Sequence, residues 1–334
     1  MKKIISLILA LMLVLCMGVT AFADGTDDAV TPSGTGTQAQ TFNFTKVYKT
    51  TAGADPTTFP AETLKFTVTA VAGNPDGTMI SIADQTVDGN PDQIIVTVPS
   101  YNKVGKWNYT VSEVAGNTQG VTYDTTPFGV QVFVSYNGDG ALVAQTTFTS
   151  KVNGGGKVNY IVNKYDLGNM SVQKIVSGNL ASKTQKFDID VTFTSAKPVR
   201  STITGAATIE SSAWTANTDS NGYTCTTTVS LANGETATFN NIPAGVTYTV
   251  VEKAKHAEAD ANGSDGSKGY TVSYDNNKSG SITAGSTAAT TVTNTKGADI
   301  DTGISTDSLP YVMLLGIVTM IGAAMLIKRR ATNN

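Results

Sequence analysis

The sequence is poor in cysteine, in histidine and in charged residues. Of 334 residues, two are cysteines and one is a histidine, and charged side chains make up 15%. A formal net charge of -3 leaves no basic field to hold a nucleic acid, so a nucleic-acid partner is excluded. The single histidine, His256, lies in the polar run EKAKHAEAD with no nucleophile motif near it. Histidine-based hydrolysis is therefore disfavoured, and neither a metal site nor a cofactor is expected.

The first 23 residues have the features of a secretory signal peptide. Two lysines precede an apolar run at 4–19, and Ala21-Phe22-Ala23 forms a small-x-small site with cleavage after Ala23. The alternative, a lipidated Cys16, is disfavoured because the residue before it is large. Cleavage leaves Cys225 as the only cysteine, so no intrachain disulfide can form. An exported protein without disulfides must resist unfolding by other means.

A second apolar run lies near the C-terminus, at residues 309–327. Its length fits one transmembrane segment, and the three basic residues at 328–330 place the tail at 328–334 in the cytoplasm. We therefore expect the body of the protein to stand outside the cell and to be held there, at least at first, by this span.

The middle of the chain reads as β-structure. Residues 24–40 are small, polar and acidic, which predicts a disordered leader. Residues 41–297 are rich in Thr, Val, Tyr and Asn, with short alternating runs, turn clusters such as AGNPDG and YNGDG, and no sustained helical period. Short strands between turn signals predict an all-β fold of two tandem Ig-like antiparallel β-sandwiches.

Three strand sequences recur in the same order in the two halves of this region. The matched pairs are FNFTK at 42–46 with MSVQK at 170–174, YTVSE at 109–113 with YTVVE at 248–252, and YIVNK at 160–164 with TVTNT at 291–295. The order is a lysine strand, a glutamate strand and an asparagine strand both times. This internal repeat predicts two homologous domains, at 41–164 and 165–297.

Each of these strands carries one polar residue in phase with its apolar residues, because alternate side chains of a strand share a face. The six residues are Lys46, Glu113, Asn163, Lys174, Glu252 and Asn294. Taken singly they have ordinary explanations: an inward lysine that protects an edge strand, a buried Lys–Glu ion pair, or a turn asparagine. The same trio in the same order and phase in both halves favours a shared chemical role.

An amine, a carboxylic acid and a carboxamide buried together can react. Burial lowers the pKa of a lysine, which makes it a nucleophile, and raises the pKa of a glutamic acid, which can take the amine proton and polarise the asparagine carbonyl. Attack on the side-chain carbon expels ammonia and leaves an intramolecular isopeptide bond. The predicted bonds are Lys46–Asn163 with Glu113 as catalyst and Lys174–Asn294 with Glu252 as catalyst. Each would close a loop of about 120 residues.

At these residues, and in GVTYDTTPFGVQVFV at 120–134, the chain resembles the two-domain major pilins of Gram-positive streptococci, which are built from tandem pilin isopeptide linkage domains. The resemblance covers about 41–303. It implies the same two crosslinks, and a shaft subunit that a sortase joins to neighbouring pilin subunits and to peptidoglycan. In that family a lysine late in the first domain is the acceptor. Lys157 lies closest to that position, with Lys151 and Lys164 as alternatives.

The sorting signal departs most from the family pattern. A typical signal is Leu-Pro-x-Thr-Gly, whereas DIDTG, within the segment 298–308, keeps Thr302 and Gly303 but lacks the Leu-Pro pair. Some relatives use shortened signals with a dedicated sortase, so the resemblance implies cleavage between Thr302 and Gly303. The alternative is that Asp-Thr-Gly is a turn and the membrane span remains the anchor.

Three function classes follow. The leading interpretation is a structural shaft pilin at the cell surface or cell wall of a Gram-positive bacterium. The second is a monomeric anchored adhesin of the same crosslinked domains, with a host surface molecule as its partner. The third, a secreted enzyme using paired carboxylates, is disfavoured because Glu113 and Glu252 belong to different predicted domains.

Overall fold

The computed structural model describes residues 36–151, 159–217, 222–253, 269–275 and 278–297. Within these ranges the chain forms β-strands, and the one helical element is a 3-10 turn at Ser211–Ala213. The prediction of an all-β fold is confirmed. The predicted signal peptide, transmembrane segment and basic tail lie outside the described residues. No helix in the described part of the chain is long and apolar enough to cross a membrane.

The described part of the first sandwich contains nine strands in two sheets. They are β1 (Gln40–Lys49), β2 (Glu62–Ala70), β3 (Gln85–Val87), β4 (Asp92–Val98), β5 (Gly105–Val114), β6 (Val121–Thr122), β7 (Phe128–Tyr136), β8 (Leu142–Lys151) and β9 (Tyr160–Tyr165). One sheet has the order β4-β1-β9-β6 and the other has the order β3-β2-β5-β7-β8. The lysine and asparagine strands therefore lie in one sheet, and the glutamate strand lies in the other.

The described part of the second sandwich repeats this arrangement with ten strands. They are β10 (Leu167–Ser177), β11 (Phe187–Ser195), β12 (Thr204–Gly205), β13 (Thr215–Ala216), β14 (Tyr223–Leu231), β15 (Thr236–Pro243), β16 (Thr247–Glu252), β17 (Thr271–Asp275), β18 (Ser279–Ser281) and β19 (Thr287–Thr295). The sheet orders are β12-β15-β10-β19-β17 and β13-β14-β11-β16-β18. The lysine strand β10 again pairs with the asparagine strand β19, opposite the sheet that holds β16.

The first and last strands of each sandwich pair in parallel, whereas the other strand pairings of the described residues are antiparallel. In the first sandwich, Lys46 lies opposite Ile161 on β9. In the second, Lys174 lies opposite Val292 on β19. This parallel pairing places the first and last strands of each sandwich, which are far apart in the sequence, side by side in a fixed register.

Alternation along the strands builds the core between the two sheets. On β5 the inward face carries Trp107, Tyr109 and Val111, all buried. Phe44 on β1 meets the ring of Phe128 edge-on at 5.3 Å across the sandwich. Each fully buried side chain of this size contributes about 1.5 to 3 kcal/mol relative to an exposed one. The sites described below are therefore enclosed by closely packed apolar side chains.

The two sandwiches are joined by a single residue, Asp166, between β9 and β10. Backbone hydrogen bonds also cross the junction, from the Gln119 N–H to the Pro198 carbonyl at 3.0 Å and from the Ala61 N–H to the Arg200 carbonyl at 3.1 Å. The last strand of the first sandwich thus continues almost directly into the first strand of the second.

The end of β10 is a sensitive position for the second sandwich. Gly178 has a φ of +95°, and a Cβ added there would lie 2.1 Å from the Lys296 carbonyl oxygen, just beyond the end of β19. Gly234 has a similar φ of +84°, but nothing lies within 4 Å of its Cβ position. Alanine substitutions at Gly178 and Gly234 therefore distinguish the cost of backbone strain from the cost of a steric clash.

We expect Gly234→Ala to lower the free energy of unfolding by about 1 kcal/mol, because only the left-handed backbone is penalised. Gly178→Ala should cost about 1 to 3 kcal/mol more, because the strands must also move apart. Denaturant unfolding of the two variants measures both values. Equal effects would show that β10 and β19 do not close on each other at this end.

Candidate functional site

Three polar side chains meet in the core of the first sandwich. Lys46 on β1, Glu113 on β5 and Asn163 on β9 are all buried. The Lys46 Nζ donates a hydrogen bond of 2.6 Å to Glu113 Oε2, and the Asn163 Nδ2 donates one of 2.7 Å to Glu113 Oε1. The carboxylate thus holds the amine on one oxygen and the carboxamide on the other.

The second sandwich contains the same constellation. Lys174 Nζ donates to Glu252 Oε2 at 2.8 Å, and Asn294 Nδ2 donates to Glu252 Oε1 at 2.6 Å. Lys174 and Asn294 are fully buried, and Glu252 is nearly so. The structure therefore brings together all six residues that the repeat singled out, in two groups of three.

The strand register explains why these groups meet. Asn163 lies opposite Tyr48, two residues beyond Lys46, so the lysine and asparagine share a face on neighbouring strands. Asn294 lies opposite Val176 in the same way, two residues beyond Lys174. Facing sheets pack about 10 Å apart, a gap that a glutamate and a lysine can span together. Each glutamate reaches its partners from the opposite sheet.

Desolvation dominates the electrostatics of the first site. Burial lowers the pKa of Lys46, and the attraction of Glu113 opposes that shift. Burial likewise raises the pKa of Glu113, against the attraction of Lys46. Both shifts favour the uncharged forms, in which the amine has a free electron pair. Burial also lowers the pKa of Lys174.

The contact between carboxylate and asparagine differs from the expectation that the glutamate polarises the carbonyl. In both sites the asparagine amide nitrogen donates its hydrogen bond to the glutamate, Glu113 or Glu252. The carbonyl oxygen of Asn163 instead accepts a hydrogen bond of 2.8 Å from the Asp124 backbone N–H. The carbonyl oxygen of Asn294 is buried and has no hydrogen-bond donor among the residues that the structure describes.

A second buried carboxylate, which the sequence patterns did not indicate, lies beside the first site. Glu62, at the start of β2, accepts hydrogen bonds from the hydroxyls of Tyr48, Thr118 and Tyr123 at 2.5 to 2.6 Å. Its signal was available, since Glu62 is in phase with Leu64, which is buried on the same face. It went unnoticed because Glu62 belongs to none of the recurring strands.

The remaining predicted residues lie elsewhere. Lys157, Thr302, Gly303 and Ala23 lie outside the described residues, as does His256. The two alternative acceptors are Lys164, which is exposed on β9, and Lys151, at the end of β8. No group of three or more His, Cys, Asp or Glu side chains in the described ranges is arranged to hold a metal ion.

The raised pKa of Glu113 gives a pH dependence of unusual sign. Asn163→Ala removes the carboxamide but keeps the Lys46–Glu113 pair. Because the pKa of Glu113 is higher in the folded state than its unfolded value of about 4.3, the folded state takes up the proton first on acidification. The free energy of unfolding of Asn163→Ala should therefore rise as the pH falls from neutral toward about 4, relative to the double variant Asn163→Ala, Glu113→Gln.

Denaturant titrations of the two proteins over this pH range measure the difference, and the double variant removes the contribution of the titrating groups that do not interact with Glu113. A difference that stayed constant, or fell with acidification, would contradict the desolvated state of Glu113.

Two families match the chain, one for each sandwich. Residues 34–166 match the Spy0128-like isopeptide containing domain, and residues 168–296 match a domain of unknown function (DUF7601). The first match spans the site of Lys46, Glu113 and Asn163, and the second spans the site of Lys174, Glu252 and Asn294.

The chain is also similar to whole proteins that include pilins. A pilin of Streptococcus pyogenes serotype M1 is 26% identical over 69% of this chain and 69% of that protein. The crystal structure of the major pilin from Streptococcus pyogenes is 20% identical, with a TM-score of 0.47 over 77% of this chain and 99% of that one. The major pilin protein T-13 from S. pyogenes is 16% identical, with a TM-score of 0.48 over 79% and 100%. The chain is thus similar to a streptococcal pilin over about two thirds of its length, and its first sandwich matches the Spy0128-like isopeptide containing domain.

Proposed function

We propose that the chain is the repeating shaft subunit of a covalent surface pilus, and that each of its domains, 41–164 and 165–297, crosslinks itself once. The observation that carries the proposal is the buried contact of lysine, glutamate and asparagine, formed twice with the same atoms. A buried lysine ammonium is costly to desolvate, whereas the amide that the lysine forms is neutral. The reaction thus removes the amine whose positive charge the core would otherwise have to hold.

The proposed reaction in the first domain uses these contacts directly. The electron pair of the neutral Lys46 amine attacks the Asn163 Cγ, and the carbonyl electrons move onto Oδ1. The carboxylic acid of Glu113 gives its proton to Nδ2, which leaves as ammonia when the carbon–nitrogen bond breaks, and it takes one proton from the attacking amine. The carbonyl then reforms, and Glu113 ends in the state in which it began. Glu252 performs the same steps for Lys174 and Asn294.

The crosslinks supply the resistance to unfolding that a protein with one mature cysteine cannot obtain from disulfides. Each joins the first strand of a domain to the last and closes a loop of about 120 residues, which is worth about 4 to 5 kcal/mol by the loop-entropy relation for disulfides. The chain is otherwise a structural protein rather than an enzyme. Its only chemistry is this single self-reaction in each domain.

Mass spectrometry tests the crosslinks. We expect the folded, exported protein to lack two ammonia molecules relative to its sequence, because each domain expels one. Glu113→Gln should lack one ammonia and Glu113→Gln, Glu252→Gln none, because a neutral carboxamide cannot take the amine proton. Both variants should unfold at lower temperature than the wild type, the double variant most.

Peptide mapping provides the control for position, since a crosslinked pair of peptides should contain Lys46 with Asn163 or Lys174 with Asn294. A wild-type protein of full theoretical mass would refute the isopeptide bonds and leave two buried ion pairs in their place.

We further propose that a sortase assembles these subunits on the surface of a Gram-positive bacterium. Thr302 is the acyl donor after cleavage before Gly303, and Lys157 is the acceptor lysine of the next subunit. The terminal subunit is attached to peptidoglycan in the same way. Tension between Lys157 and Thr302 would run along β9 and β10, cross the Lys174–Asn294 bond and leave through β19, so the rest of the second domain would bear none.

Polymer ladders test the assembly. Expressed in a Gram-positive host with its cognate sortase, the wild-type chain should give a ladder of sodium dodecyl sulfate-resistant species. Lys157→Arg and Thr302→Ala should each abolish the ladder, because arginine is not a nucleophile and alanine is not the donor residue. Lys151→Arg and Lys164→Arg are the matched controls and should leave it intact. Surface display of monomers alone by the wild type would instead favour an anchored adhesin.

A further inference from the structure

The two reactive asparagines differ in what their carbonyl oxygens contact. Asn163 Oδ1 accepts a hydrogen bond of 2.8 Å from the backbone N–H of Asp124. Asn294 Oδ1, also buried, has no such donor within the described residues. The lysine and glutamate contacts of the two sites are otherwise alike, so this contact is the main difference in polar chemistry between them.

The Asp124 N–H fixes which way the Asn163 carboxamide faces. A backbone N–H can only donate, so it must meet the oxygen of the carboxamide and not the nitrogen. The nitrogen then faces Glu113 Oε1, at 2.7 Å. If the amide were turned over, its N–H groups would face the N–H of Asp124, and its oxygen would face the carboxylate. The orientation that places the leaving nitrogen next to the proton carrier is therefore enforced.

We propose that the Asp124 backbone N–H is the oxyanion donor for crosslinking in the first domain, and that no described residue of the second domain has the equivalent role. The proposal rests on the isopeptide chemistry proposed above. When Lys46 attacks the Asn163 Cγ, the carbonyl electron pair becomes a negative charge on Oδ1. A donor already aimed at that oxygen strengthens its hydrogen bond as the charge grows, which lowers the barrier to attack. The pair returns to the carbonyl as ammonia leaves.

The fold delivers this N–H from the strand beside the asparagine strand. The short strand β6 pairs with β9, with Thr122 opposite Lys164, and Asp124 follows two residues later. The Asp124 carboxylate accepts the Thr126 N–H at 3.1 Å, which fixes the turn that contains it. In the second domain β17 occupies the same edge beside β19, where Val272 lies opposite Asn294. That edge brings no described donor to the oxygen of Asn294.

The buried Glu62 then acquires a role as a positioning residue. It holds the Tyr123 and Thr118 hydroxyls, and the Thr118 N–H in turn donates to the Tyr123 hydroxyl at 3.2 Å. These hydrogen bonds tie the segment immediately before Asp124 to the core. We infer that the buried carboxyl group of Glu62 serves to immobilise the segment before Asp124.

An amide-to-ester replacement at position 124 tests the proposal. The α-hydroxy analogue of aspartate, incorporated during cell-free synthesis of the full chain in detergent micelles, removes the N–H and keeps the side chain. Ammonia loss is followed with time for each domain by peptide mass mapping. We expect first-domain crosslinking to slow about 100-fold. The crosslinking rate of the second domain should be unaffected, and it serves as the internal reference within the same molecules.

Two variants act as controls. Asp124→Asn retains the backbone N–H and a side-chain acceptor for Thr126, so its first-domain rate should stay close to that of the wild type. Tyr123→Phe loses the hydroxyl that anchors the segment and should slow the first domain by less than the ester does. A pH series distinguishes the roles, because loss of an oxyanion donor lowers the rate without moving the midpoint set by Lys46 and Glu113.

An unchanged first-domain rate in the ester protein, with ammonia loss in the wild type, would overturn the role of Asp124 and leave the crosslinks standing. Absence of ammonia loss from either domain of the wild type would overturn both proposals. Slower crosslinking of the first domain in both the ester protein and Tyr123→Phe, with an unchanged rate in the second domain, would support the role of Asp124. If the ester protein does not fold, the first-domain crosslinking rate of Tyr123→Phe provides the test.

Discussion

A carboxylate placed between an amine and a carboxamide, in a core that excludes water, is the interaction on which the rest of this structure depends. Water would hydrate the ammonium and the carboxylate and leave the amine protonated, so the same three groups at the surface would be inert. In the core, desolvation disfavours both charged forms, so it lowers the pKa of Lys46 and raises the pKa of Glu113. The enclosing aromatic and aliphatic side chains therefore shift the pKa values of both groups.

The sheet topology converts this local contact into a property of the whole domain. Because the first and last strands pair in parallel, a lysine on one and an asparagine on the other become neighbours at the same depth in the core. A bond between them would join the two ends of the domain directly. With Asp166 alone separating β9 from β10, the two domains would form a nearly continuous covalent line along their adjoining strands.

The two copies of the site show how a repeated motif diverges. The first has a second carboxylate, Glu62, and a backbone donor on the asparagine oxygen. The second has neither feature among its described residues. Both sites place the lysine amine over an aromatic ring, 5.5 Å from the centre of the Tyr48 ring in the first and 4.6 Å from the centre of the Phe187 ring in the second. The shared elements are this ring and the contact with the glutamate.

The sequence by itself determined the β class of the fold, the repeat and the inward face of each polar residue, because strand alternation depends only on local periodicity. It thereby identified Lys46 and Lys174 as lysines on apolar faces. Only the tertiary structure decided that the end strands run parallel, that each glutamate crosses from the opposite sheet to the amide nitrogen, and that Asp124 and Glu62 belong to the first site. Those facts depend on contacts between residues far apart in the chain, and in particular on a backbone N–H, a group that every residue except proline carries and that no sequence pattern distinguishes.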